Sequence, residues 1–142
     1  MTAQKNTDPR NEPAFDRLKW SLQALALPTR DQIALFPDFV CRTDELALDF
    51  DDARVLVLGG LPGSLTSQER DALNSVDTKL ATMSKGGAEF TEAVWSDQAL
   101  FDDPCWAEVR ALASAALRAF GWAHESPPLD PRTRGVIYVT GR

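Results

Sequence analysis

A single histidine, two cysteines and one tyrosine leave this chain poor in the side chains that most often carry metal or nucleophilic chemistry. The cysteines, Cys41 and Cys105, lie far apart with no C-x-x-C spacing, which argues against a disulfide framework and a structural zinc site. Both read as small packed residues, Cys41 in an extended run and Cys105 near a helix start. Any histidine-dependent mechanism would have to pass through His124, which stands just past an expected helix end; capping or solvent exposure accounts for it there. No serine lies in a G-x-S-x-G elbow. Nor does any apolar run approach the ~20 residues that a membrane-spanning helix needs. The stretch MTAQKNTDPRNEPAF has no apolar signal-peptide core. The expectations are a soluble, cytoplasmic protein with no membrane partner.

Basic charge is scarce as well. Fifteen Lys and Arg face 21 Asp and Glu, for a formal net charge of −6. Phosphate binding needs a basic face, so nucleic acid is not the expected partner. The acid is also segregated: residues 31–52 hold seven carboxylates against Arg42 alone, and residues 86–109 hold six with no Lys or Arg. Should these two segments meet in space, they would create a strong negative field. With 44% hydrophobic and 25% charged residues, the balance is that of a globular chain. Residues 1–12 read as a flexible segment and 13–142 as one domain.

The fold expected is α+β, with a three- to four-stranded, mainly antiparallel sheet covered by three or four helices. Strands are expected between residues 33 and 58, with another at 136–140. Ile33–Phe36 and Phe39–Arg42 flank Pro37, an edge or bulge signal. Leu46, Leu48 and Phe50 alternate with Glu45, Ala47 and Asp49, the period of a half-buried strand. Thr43-Asp44 and Asp51-Asp52 would be the turns, and Arg54–Leu58 the third strand. Helical signals are sharper elsewhere. Phe15, Leu18, Leu22 and Leu25 form one stripe between Pro13 and Pro28. Thr66 and Glu69 make a capping box before a helix halted by Gly86-Gly87. Asp103-Pro104 opens another helix, which should run to about Phe120 and stop at Gly121. Residues 88–101 read as a short helix or turn carrying Phe90, Val94 and Trp95.

Three motifs invite chemistry. Asp49, Asp51 and Asp52 at a strand end could share Mg²⁺ or Ca²⁺, which take oxygen ligands. Asp49-Phe50-Asp51 resembles the D-x-D motif of haloacid dehalogenase-type phosphatases over these few residues, and in that family the first Asp is the nucleophile. Ala53-Arg54 replaces the family's following context, and no matching lysine or downstream acidic motif accompanies it. The bland reading is an acidic turn. Gly59–Ser64 could hold a phosphate ahead of a helix, but it lacks the P-loop lysine, and a turn feeding an N-cap explains it equally. Arg132, Arg134 and Arg142 could bind an anion; a solvated loop and chain end account for them as well.

What stands out is acid among aromatics. Trp95 is flanked by Glu92, Asp97, Asp102 and Asp103, as an aromatic anchor in an acidic rim would be. The leading expectation is a non-enzymatic acidic domain that binds a basic partner protein, without a cofactor. An immunity or antitoxin-type inhibitor is one version. The binding residues would be Asp38, Asp44, Glu45, Asp49, Asp51, Asp52, Trp95, Asp97, Asp102 and Asp103. The alternatives are a small divalent-metal hydrolase using Asp49, Asp51 and Asp52, and a structural or regulatory subunit.

Overall fold

The computed structural model describes residues 12–60, 62–136 and 138. Among these residues six α-helices account for the regular structure: α1 Pro13–Ala26, α2 Thr29–Ala34, α3 Arg42–Gly60, α4 Ser67–Met83, α5 Asp97–Asp102 and α6 Pro104–Phe120. Short 3₁₀ turns lie at Pro62–Ser64 and Ala93–Trp95. No strand occurs among the described residues. The expected α+β sheet is therefore wrong, and the architecture is helical.

The error has a physical source in α3. Leu46–Phe50 and Arg54–Leu58, read as two strands, lie in one 19-residue helix; Asp51-Asp52 falls inside it and Thr43-Asp44 forms its first turn. The alternation over 45–50 is only six residues long. Extended further, the buried residues Leu46, Phe50, Ala53 and Val57 recur at i, i+4, i+7 and i+11, a helical stripe. Ile33–Phe36 ends α2 and turns out of it, and Phe39–Arg42 leads into α3. The expected strand at 136–140 lies largely outside the described residues; Val136 and Tyr138 are described and neither is in a strand. The flexible segment expected at 1–12 lies outside them too, apart from Glu12.

The stop and start signals fare better. Pro13 occupies the first turn of α1. The Thr66–Glu69 capping box closes in both directions, at 3.1 and 2.9 Å. Asp103 accepts from the Cys105 N–H at 2.8 Å to cap α6, and Gly121 ends that helix at φ 70°. The last carbonyls of α1 find an unusual cap. Gln32, fully buried on α2, donates from Nε2 to the oxygens of Ala24 and Leu25 at 3.1 and 3.0 Å. The Leu25 carbonyl thereby gains a donor, and the Ala24 carbonyl, which also accepts the Leu27 N–H, gains a second.

The long helices neighbour one another in the order α4, α6, α1, α3. Two sides of α6 are therefore covered, and its buried face combines Trp106 and Val109 with Ala113 and Ala116, whose small side chains permit close approach. Full burial of each large apolar side chain contributes about 1.5–3 kcal/mol. The two ends of this order, α3 and α4, meet only slightly. That leaves a groove.

Candidate functional site

The groove runs along α3 and the C-terminal half of α4. It consists of two adjoining hollows of about 350 and 450 Å³ that share Ala47, Leu48, Ser84 and Lys85. Phe50, Leu80 and Trp95 extend its apolar lining, while Asp44, Asp51 and Asp77 stand along it. Leu48 is 52% exposed, and Val55 and Leu56 further along α3 are also exposed. Apolar on its core side and again on its outer side, α3 lacks the single polar face of an ordinary surface helix.

Trp95 is fixed at one end of the groove. Its indole N–H donates to the Met83 carbonyl at 2.8 Å, and its ring meets Trp106 edge-on with centroids 5.5 Å apart. The Thr43 hydroxyl donates to the Trp95 carbonyl at 2.6 Å, and Arg42 pairs with Asp97 at 2.7 Å. The two acidic segments do meet, at these contacts between the start of α3 and residues 95–97.

The ten carboxylates and aromatics singled out in the sequence divide by position. Asp44 and Asp51 line the groove with Trp95, and Asp52 is exposed one residue beyond Asp51 on α3. Asp38 is exposed in the turn between α2 and α3. Glu45 is partly buried, and its carboxyl is raised above the ordinary range by burial first, then by repulsion from Asp44 and Asp52. Others serve the fold. Asp97 holds Arg42, Asp103 caps α6, and Asp102 accepts from Gln98 at 2.9 Å. Asp49 turns away from the groove and accepts from the Tyr138 hydroxyl at 3.0 Å.

A helix also scatters the proposed metal triad. Residues i, i+2 and i+3 point about 200° and 100° apart in succession. Asp49 goes to Tyr138, Asp51 toward Arg54 at 3.7 Å, and Asp52 to solvent. Among the described residues, no three His, Cys, Asp or Glu side chains gather as a metal site would require. Gly59 and Gly60 finish α3 instead of opening a phosphate loop, and His124 is exposed beyond α6. Cys41 proves exposed where packing was expected, and Cys105 is half-buried.

Sequence reasoning missed two polar clusters. Lys79, nearly buried, lies 2.7 Å from Glu89 and 3.3 Å from Glu108, and Thr82 donates to Glu89 at 2.6 Å. Burial works to lower the Lys79 ammonium, but its hydrogen bonds to the two glutamates outweigh this and raise it. Nearby, burial pushes the Cys105 thiol up. A protonated lysine and a protonated thiol make this a satisfied ion network between α4, α6 and the loop between α4 and α5. The second cluster brings Arg17, Asp49, Arg134 and Tyr138 together; only the fold joins residues so distant in the chain.

Comparison with known proteins adds no relative: no family model matches the chain, and neither does a curated protein or a solved structure. Among the described residues, no helix is long and apolar enough to cross a membrane.

Proposed function

We propose that this is a non-enzymatic helical protein-binding module of the cytoplasm whose α3–α4 groove receives an apolar segment of a partner protein, flanked there by Lys and Arg. One observation carries the reading: a groove with an apolar lining, whose rim sets Asp44, Asp51 and Asp77 against Lys85, closed at one end by an immobilised tryptophan. Apolar lining supplies burial, and a fixed aromatic loses little side-chain entropy on binding. Asp44 and Asp51 of α3 and Asp77 of α4 line the groove against Lys85. Arg54, which lies 3.3 Å from Asp77, takes up part of that charge. What is left favours a cationic partner, speeds its encounter and rejects acidic competitors. Repulsion of Glu45 by Asp44 and Asp52 would be relieved by the same cations. Masking of a basic active site, as an immunity or antitoxin protein does, is one form such binding takes.

The test joins salt with substitution. A basic protein captured from lysate by the full chain is purified and titrated in about 0.1 M and about 1 M salt, which shortens the screening length from about 10 to 3 Å. Binding should weaken strongly at the higher salt. Leu48→Arg removes groove surface and reverses the local charge; it should weaken binding at least about tenfold, while Asp130→Asn on the far loop leaves it unchanged. A partner indifferent to both salt and Leu48→Arg would overturn the reading.

A further inference from the structure

Arg134 is 6% exposed, in the non-helical segment that follows α6. Its Nε and Nη2 are both buried without a hydrogen-bond partner. These two N–H groups form one edge of the guanidinium, the side that grips a carboxylate through two parallel hydrogen bonds. A buried, unpaired edge of this kind is costly and calls for a partner. Arg134 lines a cavity together with Arg17 of α1, Trp20, Phe36 and Asp49. The cavity is small, about 20 Å³, and partly open to solvent. Among the described residues, no carboxylate lies within 4.0 Å of either arginine. Two cations thus face one small, half-enclosed space.

We infer that this cavity binds the carboxylate group of a small organic acid between the Arg134 and Arg17 guanidinium groups, Arg134 turning its sealed Nε–Nη2 edge to the ligand on binding. The site is independent of the α3–α4 groove. Asp49 governs it, because a charged Asp49 would repel the ligand and compete for Arg134. The ionisable groups around Asp49 are Tyr138, which donates to it, Glu45 on its own helix, and Arg134 and Arg17 facing it. Its carboxyl is pushed up to about 6, mainly by burial, so acid conditions clear the cavity of competing charge.

The experiment titrates the full chain with sodium formate against sodium chloride at equal ionic strength, by calorimetry and by thermal melting. Formate is ionised at about pH 5 and at about pH 7, so the ligand's charge stays constant. Formate should stabilise the protein beyond chloride at about pH 5, and its apparent Kd should rise by up to about tenfold per pH unit above the Asp49 titration. Arg134→Gln should abolish the effect. If that variant does not fold, Arg17→Gln should weaken formate binding at least about fivefold. Asp49→Asn should bind formate as well at about pH 7 as at about pH 5, which a purely structural Asp49 would not produce. The inference fails if formate is no better than chloride at both pH values. It fails equally if Asp49→Asn weakens formate binding, since Asp49 would then be part of the cradle and not its competitor.

Discussion

Replacing Asp49 by asparagine should stabilise the protein at neutral pH, contrary to the usual effect of removing a hydrogen-bonded carboxylate. Burial raises the Asp49 carboxyl most; the Tyr138 hydrogen bond lowers it, Glu45 raises it again, and Arg134 and Arg17 pull it down. The balance holds it near 6, against 3.8 for an ordinary aspartate. The folded chain therefore binds the Asp49 proton more tightly than the unfolded chain does. As pH rises from about 4 through about 6 the unfolded chain gives that proton up first, so stability falls over this window and stays lower above it. Full linkage would make the loss about 3 kcal/mol; because Asp49 is only partly buried, solvent screening brings it to about 2 kcal/mol. Asparagine keeps an oxygen acceptor for the Tyr138 hydroxyl and carries no charge. Urea unfolding of both proteins in carboxylate-free buffers, from about pH 4 to about pH 8, should show Asp49→Asn more stable by about 2 kcal/mol at the upper end, with the gap closing at the lower. A variant less stable at neutral pH would refute the reasoning, as would a gap that does not change with pH. Either result would mean that Arg134 satisfies the Asp49 charge directly.

Three substitutions probe the frame that holds the groove. A Cβ on Gly87 would meet the Thr82 and Ala81 carbonyl oxygens at 2.4 and 2.5 Å, both backbone atoms that cannot swing aside. Gly87→Ala should cost about 2 kcal/mol or more, whereas Gly86→Ala, with open space but φ 92°, should cost about 1–2 kcal/mol; equal urea midpoints would contradict this. Trp106 is fully buried and donates to the Val94 carbonyl at 2.7 Å. Trp106→Phe should lower stability by about 2–3 kcal/mol through lost volume and an unmatched carbonyl. A loss below about 0.5 kcal/mol would mean that the Val94 oxygen finds another donor.

Helix ends were the most legible part of this sequence, because a cap is a local device. Pro13, Thr66 with Glu69, Asp103 with Pro104, and Gly121 each act within a few residues, so their chemistry can be read without knowing the fold. The α1 stripe of Phe15, Leu18, Leu22 and Leu25 was legible for a related reason: one face dominates it. The Gln32 cap on α1 had no such signature. It depends on a tight turn between α1 and α2 that brings the amide back onto two carbonyls. The meeting of Arg17, Asp49 and Arg134 was equally hidden, although Arg134 and Asp49 are each singled out separately in the sequence. Arg134 sits in a proline-rich stretch whose composition suggests solvent, and only its burial in the fold sets it apart from Arg132, which is exposed.

The failure at α3 follows from the residues that give the groove its character. Leu46, Phe50, Ala53 and Val57 would mark a helix if polar residues filled the opposite side. Leu48 and Val55 occupy that side instead and Leu56 a flank, so apolar residues point around most of the helix and the 3.6-residue period fades. Over the short window 45–50, Leu46, Leu48 and Phe50 then mimic a strand. A helix built only to cover the core would gain nothing from an exposed leucine, a valine and a second leucine outside it, whereas a helix with two apolar neighbours would show this pattern. One neighbour, α1, is present in the fold. Local sequence rules break most often where a protein does something other than fold. By that logic the misread strand and the proposed binding face rest on one observation: Leu48 hides the helix in the sequence, and on the proposed reading it is the residue that a partner would cover.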